Sequence, residues 1–413
     1  MPRWLDPSWR VAVFAMDVAP RALTDNARMT QPSPNATPQL TWADELGTEH
    51  QARWRSEAGV APPKRVQLVD DTLSADSAYR LACEGTALLW QGDFHNARLL
   101  LQALTRRLDK RRKAAVAPVF PDAFHQHRMA LAQRARVLGQ VLVPLDAGYQ
   151  VLLRRGPAVR AACEEAWGKA DGPVVVSLRE LLGLVGAHEW RRKGVPLAAL
   201  GGAHIHPHYG VFSPVRGEYV QLVADAPLPA ACTTDAPAWD IGTGTGVLAA
   251  VLAQRGLRQV LAIDQDPRAV ACATDNLKRL GLLRQVKVLA GDLFPQGQAA
   301  LILCNPPWVP AKPSAPIEHA VYDPDSRMLR GFLTGLKAHL APGGEGWLIL
   351  SDLAEHLKLR PREQLLGWMA DAGLQVLGRL DAQPTHRKAQ DADDPLHAAR
   401  AAEVTSLWRL GAA

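Results

Sequence analysis

Cysteine is scarce in this chain and never paired. Cys83, Cys163, Cys232, Cys272 and Cys304 are the five among 413 residues, and no two form a C-x-x-C step. That spacing argues against a disulfide framework and a thiolate zinc site, and fits a reducing cytoplasm. Any apolar run near the roughly 18 residues of a membrane span is also missing. The stretch Trp9–Pro20 is mildly apolar behind Arg3, but Asp17 interrupts it and no small-residue cleavage site follows, so a signal peptide is not expected. Met29 offers an alternative start, which puts residues 1–28 in question as part of the native protein.

What is present divides unevenly. Lys and Arg against Asp and Glu count 10 to 12 over residues 1–100, 17 to 8 over 101–200, 8 to 8 over 201–300 and 12 to 13 over 301–413. The whole basic excess therefore falls in residues 101–200. Two readings stand: the electrostatic footprint of a nucleic-acid or ribosome partner, or a solvated helical face. The length calls for two or three domains. Residues 1–66, with Gln31-Pro-Ser-Pro-Asn-Ala-Thr-Pro38, read as linker or disordered. Residues 67–200 read as a mainly helical, basic accessory domain. One helix, capped by Ser74, is predicted through Trp90; a second carries Leu99, Leu100, Leu101, Leu104 and Leu108; others fit His125–Gly139 and Pro157–Trp167. From 201 to 413, strand and helix signals alternate as in a doubly wound α/β sheet.

The chemistry concentrates in that last segment. Asp240-Ile241-Gly242-Thr243-Gly244-Thr245-Gly246 lies between a strand and a helix. Its glycines allow a tight turn and close backbone approach to a ligand. A dinucleotide fold also uses a Gly-rich first turn, but with G-x-G-x-x-G spacing. Here the pattern is G-x-G-x-G with an acid two residues ahead, which suits a ligand bearing a cationic ammonium. Asp264, eighteen residues past Gly246, ends the next strand and is placed to grip two ribose hydroxyls; Asp266 reads as a helix cap before Pro267. Asp292, with Leu293 beside it, offers an acceptor for an adenine amine and an apolar neighbour for its ring.

Asn305-Pro306-Pro307-Trp308 closes a fourth strand. Two prolines fix the backbone, so the Pro306 carbonyl and the Asn305 side-chain oxygen can accept both hydrogens of a planar NH2 group. Such a nitrogen is a poor nucleophile because its lone pair is delocalised, and acceptors that draw its protons favour a pyramidal, attacking nitrogen. Trp308 is expected to supply a stacking wall. Plain turn chemistry is the competing reading of Asn-Pro-Pro.

On these residues the segment from about Pro207 to Leu410 resembles the class I methyltransferases of the "methyltransferase small domain" kind. That group includes the release-factor and ribosomal-protein glutamine methyltransferases and the rRNA guanine methyltransferases. The resemblance implies a Rossmann-like seven-stranded sheet of order 3-2-1-4-5-7-6. It also implies S-adenosyl-L-methionine as cofactor, S-adenosyl-L-homocysteine as product, and transfer to an amide or exocyclic amine nitrogen. It gives Gly242, Thr243, Gly244, Thr245 and Gly246 the methionine part, Asp264 the ribose, and Asp292 with Leu293 the adenine. Tyr209-Gly-Val-Phe-Ser-Pro214 is similar to the "GVFS" stretch of the rRNA guanine group, which makes Phe212 and Arg216 secondary cofactor contacts. Trp308 departs from the Tyr usual in the glutamine enzymes. Three substrates stay open: a base in RNA or DNA, a glutamine of a translation or ribosome-associated protein, and a small-molecule amine. From another class stands a non-catalytic module that binds S-adenosylmethionine; calorimetry with that ligand separates a protein that binds it from one that does not. No metal is expected, because the alternating His204, His206 and His208 lack a completing carboxylate or cysteine. The loop Pro384–Ala402 reads either as a substrate-side lid or as an insertion.

Overall fold

The computed structural model describes residues 38–110, 119–215, 217–313, 318, 320–384, 391 and 393–413. Expectations for the N-terminal segment through residue 37, the basic run Arg111 to Lys113, Arg216, and His386 to Lys388 fall outside them. No described helix is long and apolar enough to cross a membrane. Contacts divide the described chain into two compact units, one holding residues 38–110 and 126–189, the other 119–125 and most of 190–413.

The first unit is built on a six-stranded sheet. Its strands are β1 (Gln39–Ala43), β2 (Glu49–Arg55), β3 (Val66–Val69), β4 (Ala87–Trp90), β5 (Val141–Leu145) and β6 (Val174–Ser177), in the order β1-β2-β6-β5-β4-β3. Its helices are α1 (Ala75–Cys83), α2 (Phe94–Lys110), α3 (Asp122–Leu138), α4 (Arg160–Trp167) and α5 (Leu178–Lys193), the third and fifth running on into the second unit's residues. This corrects two expectations. Residues 39–55 are a hairpin, not linker: Leu40, Ala52 and Trp54 are buried, and Asp44 accepts from the Leu46 and Thr48 amides to close the turn. Residues 67–200 do contain helices near those predicted, but these accompany a sheet. The Ser74 cap is in place, accepting from the Ser77 amide, yet that helix stops at Cys83 and Ala87–Trp90 is a strand. The β4 and β6 strands are buried at every position, so they carry no alternation to distinguish them from helix.

The second unit begins before residue 201. Trp190, Val195, Leu197, Leu200 and Ile205 all pack into its core. Its chain runs through β7 (Val195–Pro196), β8 (His204–Ile205), α6 (Glu218–Asp225), β9 (Pro237–Ile241), α7 (Val247–Gln254), β10 (Gln259–Asp264), α8 (Pro267–Arg279), β11 (Val286–Ala290) and β12 (Ala299–Cys304). It closes with α9 (Arg327–His339), β13 (Leu340–Ser351), α10 (Leu353–His356), α11 (Arg362–Asp371), β14 (Leu374–Ala382), α12 (His397–Ala401) and β15 (Thr405–Ala412). The seven-stranded sheet has the order β11-β10-β9-β12-β13-β15-β14. Numbered from β9, that is 3-2-1-4-5-7-6, the expected order. The five strands from β11 to β13 are parallel, and β15 is antiparallel to both its neighbours. Parallel strands buried on both faces read as continuous apolar runs, and β12 (Ala-Ala-Leu-Ile-Leu-Cys) is buried throughout.

The order matters because ligands of such sheets bind beyond the carboxyl ends of the strands, where the connections change direction. Here β9 is flanked by β10 and β12, so the loops after β9 and β12 diverge at its carboxyl end.

Candidate active site

Register brings the motifs together. Cys304 pairs with Ile241, and Ile241 with Ile263, so Asn305, Gly242 and Asp264 leave three adjacent strands at one edge. Asp264 pairs in turn with Ala290, which puts Gly291 and Asp292 at that edge too. The Gly242 and Thr243 amides both donate to the Ile263 carbonyl, at 2.8 and 3.0 Å, stitching the glycine loop to β10.

Asp240 is buried, with 1% of its surface exposed. Its Oδ2 accepts from the Thr243 hydroxyl at 2.6 Å and the Ala249 amide at 3.0 Å. Its Oδ1 is buried with no hydrogen-bond partner among the described residues. Burial pushes its pKa up to about 6, against the pull of those two bonds. An unpartnered carboxylate oxygen in such a place is costly unless a cation or donor meets it. Thr245, like Thr243, is buried, and its carbonyl accepts from Asn276 Nδ2 at 3.0 Å.

The glycines divide their work. Gly246 has φ +79, and a Cβ there would lie 3.1 Å from the backbone Cα of Ala273, so a side chain would press the loop and α8 apart by a few tenths of an ångström. Gly242 has φ +72 and faces the Met328 methyl, 2.5 Å from where its Cβ would stand. Gly246→Ala is expected to destabilise the protein by about 1–2 kcal/mol, from left-handed strain and a tight contact with the α8 backbone. Urea unfolding at matched m-value checks it; unchanged stability would mean the loop and helix can move apart.

Asp264 accepts from the Gly244 amide at 2.9 Å and the Asp266 amide at 3.0 Å, one on each oxygen. Burial raises its pKa, and these amides oppose the rise. Asp266 caps α8 as expected, accepting from the Arg268 amide at 2.8 Å with Pro267 at the first helical position. Asp292 is exposed and paired with Arg327 at 2.7 Å. Leu293 has φ +60 and lies against Gly331 of α9, where a Cβ would come within 2.6 Å. Phe212 is half-buried against the core around α6 and α7, and its neighbour Val211 packs on Ala269 and Cys272.

The Asn305–Trp308 segment differs from the expectation in one contact. The Trp308 indole N–H donates to Asn305 Oδ1 at 2.9 Å, so one of that oxygen's two lone pairs is used inside the motif. Trp308 is half-buried and packs against three core clusters, so it is a strut as well as a surface. Its carbonyl accepts from Arg360 at 3.2 Å. Pro306 is buried and Pro307 half-buried. The Cys304 thiol is held well above its ordinary pKa by burial first and by nearby Asp240, Asp323 and Asp264, so it stays protonated and does not serve as a nucleophile.

Several residues that support this edge carried no sequence signal. Asp323 accepts from the Met328 and Leu329 amides, one on each oxygen, and so caps α9. Arg360 is 3% exposed and also donates to the Ser326 hydroxyl. Asn276 accepts from the His206 amide at 2.8 Å while holding the Thr245 carbonyl, tying the loop to the histidine segment. His206 meets the Arg191 carbonyl and His208 meets Asp275, and no cluster of metal-binding residues occurs among the described residues.

Residues 203–362 match the family described as "Methyltransferase small domain". The match falls on the second unit and covers 160 of the chain's 413 residues. The chain is 41% identical over 69 residues to the ribosomal protein L11 methyltransferase of Pelotomaculum thermopropionicum, covering 16% of the chain and 22% of the relative. It is 34% identical over 120 residues to the release factor glutamine methyltransferase of Cereibacter sphaeroides, covering 25% and 43%. It is 28% identical over 187 residues to the tRNA1(Val) (adenine(37)-N6)-methyltransferase of Shewanella loihica, covering 43% and 72%. The chain thus spans less than half the length of the first two relatives. Both the fold expected for this domain and its strand order are present.

Proposed function

We propose that the protein transfers a methyl group from S-adenosylmethionine to a planar nitrogen, an amide or an exocyclic amine, in a nucleic acid or a ribosome-associated protein. The observation that carries this is the Cys304–Ile241 register, which sets the Asn305 acceptor beside the glycine loop. When bound, S-adenosylmethionine supplies a methyl on a positively charged sulfur, so a neutral thioether leaves as the new N–C bond forms and the nitrogen sheds a proton. The buried Asp240 Oδ1 fits the ammonium of its methionine part. Gly242 to Gly246 cradle that part, Asp264 takes the ribose, and Asp292 with Leu293 takes the adenine; Asp292 keeps Oδ1 for this while Oδ2 holds Arg327. Phe212 is a secondary contact on the cofactor side.

Asn305 Oδ1, with one lone pair used by Trp308, offers the other to one N–H of the substrate, and the Pro306 carbonyl takes the second. The Trp308 bond helps catalysis by fixing the amide's orientation, because a positioned acceptor needs no reorganisation at the moment of reaction. Positioning supplies most of the rate gain when the leaving group is already activated by charge. A glutamine side chain is the second substrate reading, favoured by the likeness to the release factor glutamine methyltransferase. The test is labelled-methyl transfer into lysate from a strain lacking the protein, followed by nuclease and protease digestion in parallel. Label released by nuclease supports a nucleic acid and label released by protease supports the glutamine. No label in either polymer contradicts both.

A further inference from the structure

The sheet of the second unit has a concave feature at the edge opposite the motifs. A cavity of about 340 Å³ opens where β9, β10, β11 and β12 begin. Arg258 enters it from just before β10, Arg284 from just before β11, and Lys287 from within β11. Gln259, Gln285, Gln296 and Gln298 add amide groups around them, while Val260, Val286 and the exposed Leu283 give an apolar floor. No Asp or Glu lines the cavity. Among the described residues the three cations have no ion pair, whereas Arg327, Arg362, Arg379 and Arg409 of the same unit each meet a carboxylate.

Three unpaired cations brought together by the starts of two neighbouring strands generate a local positive field that the net charge of residues 201–300, 8 against 8, does not reveal. Arginine forks match phosphate oxygens bidentately, and glutamine amides donate to phosphate without selecting sequence. The apolar floor suits a sugar or base edge. Strands of five or six residues separate this cavity from the Asn305 edge, a distance of roughly 17–20 Å.

We propose that this amino-edge cavity binds the phosphodiester backbone of a nucleic-acid substrate at a point remote from the methylated base. The proposal rests on the nucleic-acid reading of the function and narrows it. It assigns backbone anchoring to Arg258, Arg284 and Lys287. A remote anchor of this kind contributes binding without touching the reacting atoms, so it acts on KM rather than on kcat.

The test measures binding of a fluorescent single-stranded RNA, and of a DNA of the same sequence, to the full chain between 50 and 200 mM salt. The variant Arg258→Ala/Arg284→Ala/Lys287→Ala replaces three exposed side chains. It is expected to weaken RNA binding about ten- to hundred-fold and to reduce the slope of log K against log salt by roughly 2, at about 0.7 per phosphate contact. Its thermal unfolding and its heat of S-adenosylmethionine binding should match the unmodified protein. Equal affinity and slope in the two proteins, no RNA binding by the unmodified protein at 50 mM salt, or displacement of RNA by polyglutamate at equal charge would each overturn the proposal. Failure of the methyltransferase reading shows separately, as absence of S-adenosylmethionine heat in a protein that still binds RNA through this cavity.

Discussion

Asn305→Ala is expected to lower kcat by about 10²–10³-fold while moving the S-adenosylmethionine Kd by less than about three-fold. The substitution deletes the oxygen assigned to one substrate N–H and also the partner of the Trp308 indole. Asn305 accepts no described bond from the glycine loop, whose Gly242, Thr243 and Gly244 amides go to Ile263 and Asp264 and whose Gly246 amide goes to Thr243, so the cofactor side should be undisturbed. Trp308→Phe deletes the indole N–H but keeps an aromatic ring, and its loss in kcat should be smaller, about ten-fold. If the two variants lost equal activity, holding the amide would be the whole of Asn305's contribution. Wild-type turnover by Asn305→Ala would contradict the acceptor role outright. Single-turnover kinetics with saturating cofactor makes the comparison.

Asp240→Asn should move stability and cofactor affinity in opposite directions. The folded pKa of about 6 stands above the usual unfolded value near 3.9. A raised pKa means the folded state holds the proton more tightly. Its stabilising share is therefore complete below about pH 3.9 and is lost as pH rises through 6. A rise of that size corresponds to about 3 kcal/mol, the penalty carried by the ionised form at pH 8. Asparagine can keep an oxygen toward Thr243 and Ala249 without the charge. The variant should thus gain up to about 3 kcal/mol of unfolding free energy at pH 8 and nothing near pH 4. S-adenosylmethionine should bind it on the order of 100-fold more weakly, because the ammonium loses a buried counter-charge. In the unmodified protein, cofactor affinity should fall about ten-fold for each step of one in pH below 6, as the carboxylate must be ionised to bind. Urea unfolding and calorimetry across pH 4–8 read both effects. A variant binding cofactor as tightly as its parent would remove Asp240 from the site.

The parallel half of the second unit was legible because its signals are local and ordered. Each motif directly follows an apolar strand, and the chain order of four strands gives the order of the four motifs. Asp266 could be assigned to the α8 cap from Asp-Pro alone, and it is there. The first unit was less legible: the Ala87–Trp90 and Val174–Ser177 strands are short and buried on all sides, and periodicity cannot tell such runs from helix. The Trp308–Asn305 bond was missed because stacking and hydrogen bonding are both open to an indole, and only the turn made by Pro306 and Pro307 decides between them. Met328, Asp323 and Arg360 reach the site from elements distant in sequence, so their spacing carries no trace of the contact.

The most direct test of the central claim is the identity of the methylated atom. Transfer from S-adenosylmethionine carrying a ¹³C methyl, into substrate labelled with ¹⁵N, should yield a product whose methyl carbon couples to an amide or exocyclic amine nitrogen. A methyl carbon found on oxygen, sulfur or carbon, with no coupling to nitrogen, would contradict the account.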